Sequence, residues 1–119
     1  MTFIRPTTHR VLDGVTVVVF AAAPLALGLT GVAAYLAWTL AVVHLLMTLL
    51  TAFPDGAPRP VPLRLHGLVE LVVGPVLIAA PFALGWSGAA RWFYVVAGVV
   101  ILAVRFSSSY AAAPPPAPS

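Results

Sequence analysis

The chain has 119 residues, 61% hydrophobic and only 8% charged, with a mean hydropathy of +1.06 and a formal net charge of +3. A soluble domain carries roughly 25% charged residues, so a chain this poor in charge cannot cover a water-facing surface and takes lipid as its solvent. Cys, Lys, Asn and Gln are absent and the Arg residues form no stripe; this removes disulfides and thiolate metal sites and argues against nucleic acid as a partner.

Four apolar stretches follow one another at residues 11–29, 32–53, 63–86 and 89–106. About 20 helical residues cross a hydrocarbon core of about 30 Å. Lipid offers no water to backbone groups, so each stretch is predicted to be a transmembrane helix. The first has His9 just ahead of it and Asp13 near its start, four apart on one helix face, and reaches Pro24, Gly28 and a Thr30-Gly31 turn. It also has a signal-peptide profile, Arg residues ahead of an apolar run that contains Ala21-Ala22-Ala23, but its counterpart in the second half cannot be a signal, so a retained span is expected. The second stretch carries His44 deep inside it. The link at 54–62 holds Pro54, Pro58, Pro60 and Pro62 and cannot be helical. The third stretch opens with His66 and Glu70, is interrupted at Gly74-Pro75 and at Pro81, and ends at Gly85 before a Ser87-Gly88 turn. The fourth ends at Arg105, and residues 107–119 form an Ala/Pro-rich tail expected to be disordered and extended.

The two halves repeat. Ala22-Ala23-Pro24-Leu25-Ala26-Leu27-Gly28-Leu29-Thr30-Gly31 returns 57 residues later as Ala79-Ala80-Pro81-Phe82-Ala83-Leu84-Gly85-Trp86-Ser87-Gly88, identical at seven of ten positions. At the same offset His66 matches His9 and Glu70 matches Asp13. A repeat at fixed period sets the architecture. The expected fold is an all-α membrane protein of four transmembrane helices in two tandem helical hairpins, 1–53 and 63–106, joined by the loop 54–62. Each hairpin has an even number of spans, so the repeat is parallel, with a pseudo-twofold axis along the membrane normal. Arg5, Arg10, Arg59, Arg64 and Arg105 sit at one set of span ends and Arg91 at the other. The positive-inside rule then puts both termini in the cytoplasm of a bacterial inner membrane, with Trp86, Trp92, Phe93 and Tyr94 in the opposite aromatic belt.

Each polar feature has a structural and a functional reading. Pro24 with Gly28, and Pro81 with Gly85, either shape the hairpin ends or hinge a substrate site. The pairs His9/Asp13 and His66/Glu70 either complement helix dipoles at the interface or join as two imidazoles and two carboxylates around a divalent metal or a proton relay. His44 can ligate haem, carry a proton, or hydrogen-bond to Thr39, Thr48 or a carbonyl of another helix. Arg105 can pair with Glu70 or snorkel to headgroups. No nucleophile triad, phosphate loop or dedicated metal motif is present.

The segment from Leu71 to Trp86, with Ala80-Pro81-Phe82 at its centre and Ala23-Pro24-Leu25 as its first-half counterpart, resembles the SPW-repeat family of small bacterial integral membrane proteins. The likeness spans residues 9–106, although neither copy has the Ser or the Trp of the family core. It implies two membrane hairpins and supplies no catalytic residue. The expectation is a non-enzymatic structural or accessory protein of the bilayer, associating with itself or with another membrane protein; the alternative is a small transport, metal-binding or haem-binding module using His9, Asp13, His66, Glu70 or His44.

Overall fold

Backbone groups in hydrocarbon must find partners within their own segment, and the chain meets that demand with four long helices. The computed structural model describes residues 3–54 and 56–110. Its helices are α1 (Pro6–Leu27), α2 (Gly31–Leu50), α3 (Leu63–Ala83) and α4 (Gly88–Ser107). They contain 22, 20, 21 and 20 residues and are each long and apolar enough to cross a membrane; at 1.5 Å per residue they span about 30–33 Å. The order of burial is that of a chain in lipid: large apolar side chains such as Val11, Val18, Leu25, Val72, Trp92 and Phe106 are exposed, whereas His9, Asp13, His66 and Glu70 are buried.

The helix boundaries depart from hydropathy at three places. Helix α1 starts at Pro6, five residues ahead of the apolar stretch, because proline is well suited to the first helical position, where no amide proton is needed. Helix α2 stops at Leu50 instead of 53. Thr51–Ala52 (β1) leaves the helix in extended form and pairs in parallel with Val61–Pro62 (β2), with Thr51 opposite Val61 and Ala52 opposite Pro62. Finally, the tail does not begin at 107. Ser107 closes α4, its carbonyl accepts from the amides of Phe3 and Ile4 at 2.7 and 2.8 Å, and the Ser109 amide donates to the Ile4 carbonyl at 2.9 Å. The remainder of the expected tail, 111–119, lies outside the described residues.

The hairpin ends are built by glycine, not by proline. α1 and α3 both continue past Pro24 and Pro81, and the chain reverses where Gly28 and Gly85 take φ of +66° and +70°. Only glycine enters that region without a Cβ clash. The prolines supply the capping acceptors: Leu29 donates to the Pro24 carbonyl at 3.0 Å and Trp86 to the Pro81 carbonyl at 2.8 Å.

Packing is extensive within each hairpin, α1 on α2 and α3 on α4, and sparse between them. In the second hairpin the backbones touch: a Cβ added at Gly98 would lie 2.5 Å from the Gly74 carbonyl oxygen. In the first, α2 presents Ala33, Ala34, Ala37 and Ala41 as its buried face; small residues allow this approach in lipid. Between hairpins, Phe20, Leu77, Tyr94 and Ile101 share the core, and the Tyr94 hydroxyl donates to the Ala33 carbonyl at 2.6 Å. Lipid is as apolar as these side chains, so the hydrophobic effect does little to hold one hairpin to the other. The polar contacts therefore carry much of that task.

Candidate metal centre

Spacing four along a helix stacks two side chains on one face. α1 thus presents His9 and Asp13 together, and α3 presents His66 and Glu70 together, each in the first turns of its helix. The two faces meet. All four residues are buried, at 1%, 3%, 0% and 5% exposure, and one ligand atom from each lies within 4.8 Å of all the others. His9 Nε2 lies 2.8 Å from Glu70 Oε1 and 3.3 Å from Asp13 Oδ1. His66 Nε2 lies 2.6 Å from Glu70 Oε1 and 3.2 Å from Asp13 Oδ2. α2 adds a third imidazole, with His44 Nε2 3.1 Å from Asp13 Oδ1. Of the two readings of these pairs, the geometry is that of the joined one: a buried cluster in which the Nε2 atoms of His9 and His66 face both acids and that of His44 faces Asp13.

The far side of each core imidazole is held by a hydroxyl. His9 Nδ1 lies 2.8 Å from Ser108 Oγ, and His66 Nδ1 lies 2.8 Å from Thr51 Oγ1. Thr51 directs its own proton to the Met47 carbonyl at 2.5 Å, so it accepts from His66 Nδ1–H. That places a proton on Nδ1: neutral His66 then turns the lone pair of Nε2 toward the carboxylates, and protonated His66 turns an N–H toward them. Two atoms, His66 Nε2 and Asp13 Oδ2, are buried without a hydrogen-bond partner. Both stand within ion-pair distance of opposite groups, so their closeness is real but their alignment is wrong for a hydrogen bond. Anionic oxygens brought this close to Nε2 call for a positive charge among them, carried either by a proton on the imidazole or by a bound cation.

The end of α3 that carries His66 and Gly67 is closed by the segment that follows α4. The Tyr110 ring lies on Gly67, where an added Cβ would come within 2.7 Å of it. Its hydroxyl donates to Glu70 Oε2 at 3.1 Å. Burial first, and then the Glu70 carboxylate, push the Tyr110 phenol up, which keeps it a donor. Of its two readings, Arg105 does not take the pairing with Glu70. Its Nε donates to the Gly67 carbonyl at 2.8 Å, and its guanidinium stacks 4.4 Å from the Tyr110 ring centroid, so it braces the tyrosine that holds the acid. Phe53 packs edge-on to His66 with ring centroids 5.9 Å apart.

No protein-family model, curated protein or solved structure matches this chain.

The donor set itself narrows the chemistry. Two imidazoles and two carboxylates, with no thiolate, suit a borderline or moderately hard divalent ion such as zinc, iron, manganese or cobalt. Haem fits poorly. His44 Nε2 is engaged by Asp13, and the cavity beside it measures about 40 Å³, several-fold below the roughly 300 Å³ of even a small cofactor pocket. Pro24, Gly28, Pro81 and Gly85 lie at the opposite end of the helices from the cluster and take no part in it. Sequence reasoning missed Thr51, Ser108 and Tyr110. Their only signal is polar character at the end of an apolar run, which equally marks an interface.

Proposed function

We propose that this multi-pass protein is a small membrane-embedded binding module for one divalent first-row transition-metal ion, held by His9, Asp13, His66 and Glu70. The observation that carries the reading is the convergence of four buried ligand atoms within 4.8 Å, two of which, His66 Nε2 and Asp13 Oδ2, have no hydrogen-bond partner. Charge supports it. Two buried carboxylates are costly in lipid unless compensated, and one divalent ion neutralises both. The spacing is near that of a shared ion: at metal–ligand lengths of about 2.1 Å, ligand atoms stand roughly 3.0–3.4 Å apart, and the imidazole–carboxylate separations of 2.6–3.3 Å would need only a small opening to admit one. The hydroxyls on Nδ1 match the outer-shell partners that orient histidine ligands. Full-length protein purified in mild detergent and analysed for metals should carry about one ion per chain, and His9→Ala and His66→Ala should each lose it while keeping helical circular dichroism.

A second reading has its own support. The cluster joins α1 and α2 to α3 where apolar packing between hairpins is sparse. In that reading it is a structural clamp, with protonated imidazoles in place of the ion, inside a non-catalytic accessory subunit that associates with itself or another membrane protein. A colourless, metal-free protein that melts identically with and without chelator would favour the clamp.

The placement in the cell belongs to the same proposal. Five Arg against one at span ends favour cytoplasmic termini in a bacterial inner membrane. The paired His/acid sites and the paired Gly28 and Gly85 turns support a pseudo-twofold relation of the hairpins along the membrane normal. The resemblance to SPW-repeat proteins agrees with this layout.

A further inference from the structure

Structural metal sites are closed by protein ligands, whereas reactive ones keep a position for an exchangeable group. Beside the cluster, toward the middle of the bilayer, lies a cavity of about 40 Å³ bounded by all four helices. One wall is polar, made by His44, His66 and Glu70; the others are apolar, among them Phe20, Val73 and Ile101. A single water needs about 10–15 Å³ by this measure, so the space takes a ligand of about two or three heavy atoms and nothing larger. The lining also includes Val43 of α2, which is 50% exposed on the membrane-facing surface. Apolar side chains therefore lie between the lipid-facing surface and the cluster.

Resting on the metal reading above, we propose that this cavity is the binding site for a small neutral molecule, of the size of a diatomic gas, that enters from the bilayer and occupies an open position on the ion. Two considerations decide neutral over anionic. Asp13 and Glu70 already balance a divalent charge, so an anion would leave an uncompensated charge in a low-dielectric site. The approach between Leu40, Val43 and Val73 offers an anion no polar partner, whereas a neutral diatomic dissolves in lipid and crosses it without penalty. The small volume excludes lipid chains and aromatic ligands by size alone.

The test uses the full chain in lipid nanodiscs, loaded anaerobically with ferrous iron, with nitric oxide as the neutral probe and azide as the anionic one. Iron content is measured first, and the high-spin iron–nitrosyl signal is then followed by electron paramagnetic resonance. Native protein should give a nitrosyl signal matching its iron and no spectral change with azide. Val73→Phe and Leu40→Phe, two independent ways of filling the cavity, should keep their iron and lose most of that signal. Absence of bound iron would overturn the metal site and this inference together. Bound iron that gives no nitrosyl, that responds equally to azide, or that gives an undiminished nitrosyl in both filled variants would overturn this inference and leave the metal site standing.

Discussion

Replacing Thr51 by valine preserves the side-chain shape and deletes one hydroxyl. In the native chain that hydroxyl accepts from His66 Nδ1 at 2.8 Å and donates to the Met47 carbonyl at 2.5 Å. His66 is fully buried, so its Nδ1–H is left with no replacement partner, a loss of about 1–3 kcal/mol for a buried donor. The imidazole then regains freedom to turn or to exchange tautomers, and either move takes the Nε2 lone pair off the cluster. Loss of such an outer-shell partner lowers metal affinity by about 10–100-fold, or about 1.4–2.7 kcal/mol, in line with the hydrogen-bond cost. The assay is competition of the stripped protein against a chromophoric zinc chelator in detergent. Thr51→Val should weaken binding within that range, and Thr51→Ser, which keeps the hydroxyl, should bind much as the native chain does. A Thr51→Val protein with native helicity and unchanged affinity would refute the orienting role of Thr51 and the proton placed on His66 Nδ1.

Three further outcomes follow from the packing and the closing segment. Gly98→Ala puts a methyl 2.5 Å from the Gly74 carbonyl and 2.7 Å from Ile78 Cγ1, so it should destabilise the second hairpin by about 1–3 kcal/mol, read as a lower midpoint in denaturing-detergent titration. Tyr94→Phe removes the inter-hairpin bond to the Ala33 carbonyl and should cost about 0.6 kcal/mol, and at most about 1.7, in the same titration. For Tyr110, whose phenol is pushed up by burial and by Glu70, the difference in tyrosinate absorbance between native protein and Tyr110→Phe should stay near zero through about pH 10, the ordinary tyrosine value. The unfolded chain releases that proton near pH 10 while the folded chain retains it, so stability should fall as pH rises through this range, and Tyr110→Phe should flatten the fall.

Local pattern made the spans and the turns legible. Hydropathy marks four segments because lipid exposure leaves no other composition possible, and Gly28 and Gly85 announce reversals because their backbone angles exclude other residues. The pairing of His9 with Asp13 and of His66 with Glu70 was readable for the same reason: four residues make one turn. Their meeting was not. It depends on how two hairpins dock, and in lipid that docking follows from a few polar contacts that no periodicity records. His44 stood out as an intramembrane ionisable group, yet its partner Asp13 lies 31 residues away on another helix. Thr51 was hidden within an apolar run, because hydropathy averages over a window and cannot see that the helix ends one residue earlier. Ser108 and Tyr110 were hidden by proximity to a proline-rich tail, although the backbone bonds of Ser107 and Ser109 to the N-terminal residues Phe3 and Ile4 hold them over the cluster.

Titration of the stripped full-length protein with cobalt(II), followed by its visible d–d absorption, tests the proposed centre most directly. One saturable equivalent per chain, with band positions set by nitrogen and oxygen donors and lost on Asp13→Ala, His66→Ala or Glu70→Ala, is the predicted result. Cobalt that produces no saturable bands with the native chain, or identical bands in all three variants, would contradict it.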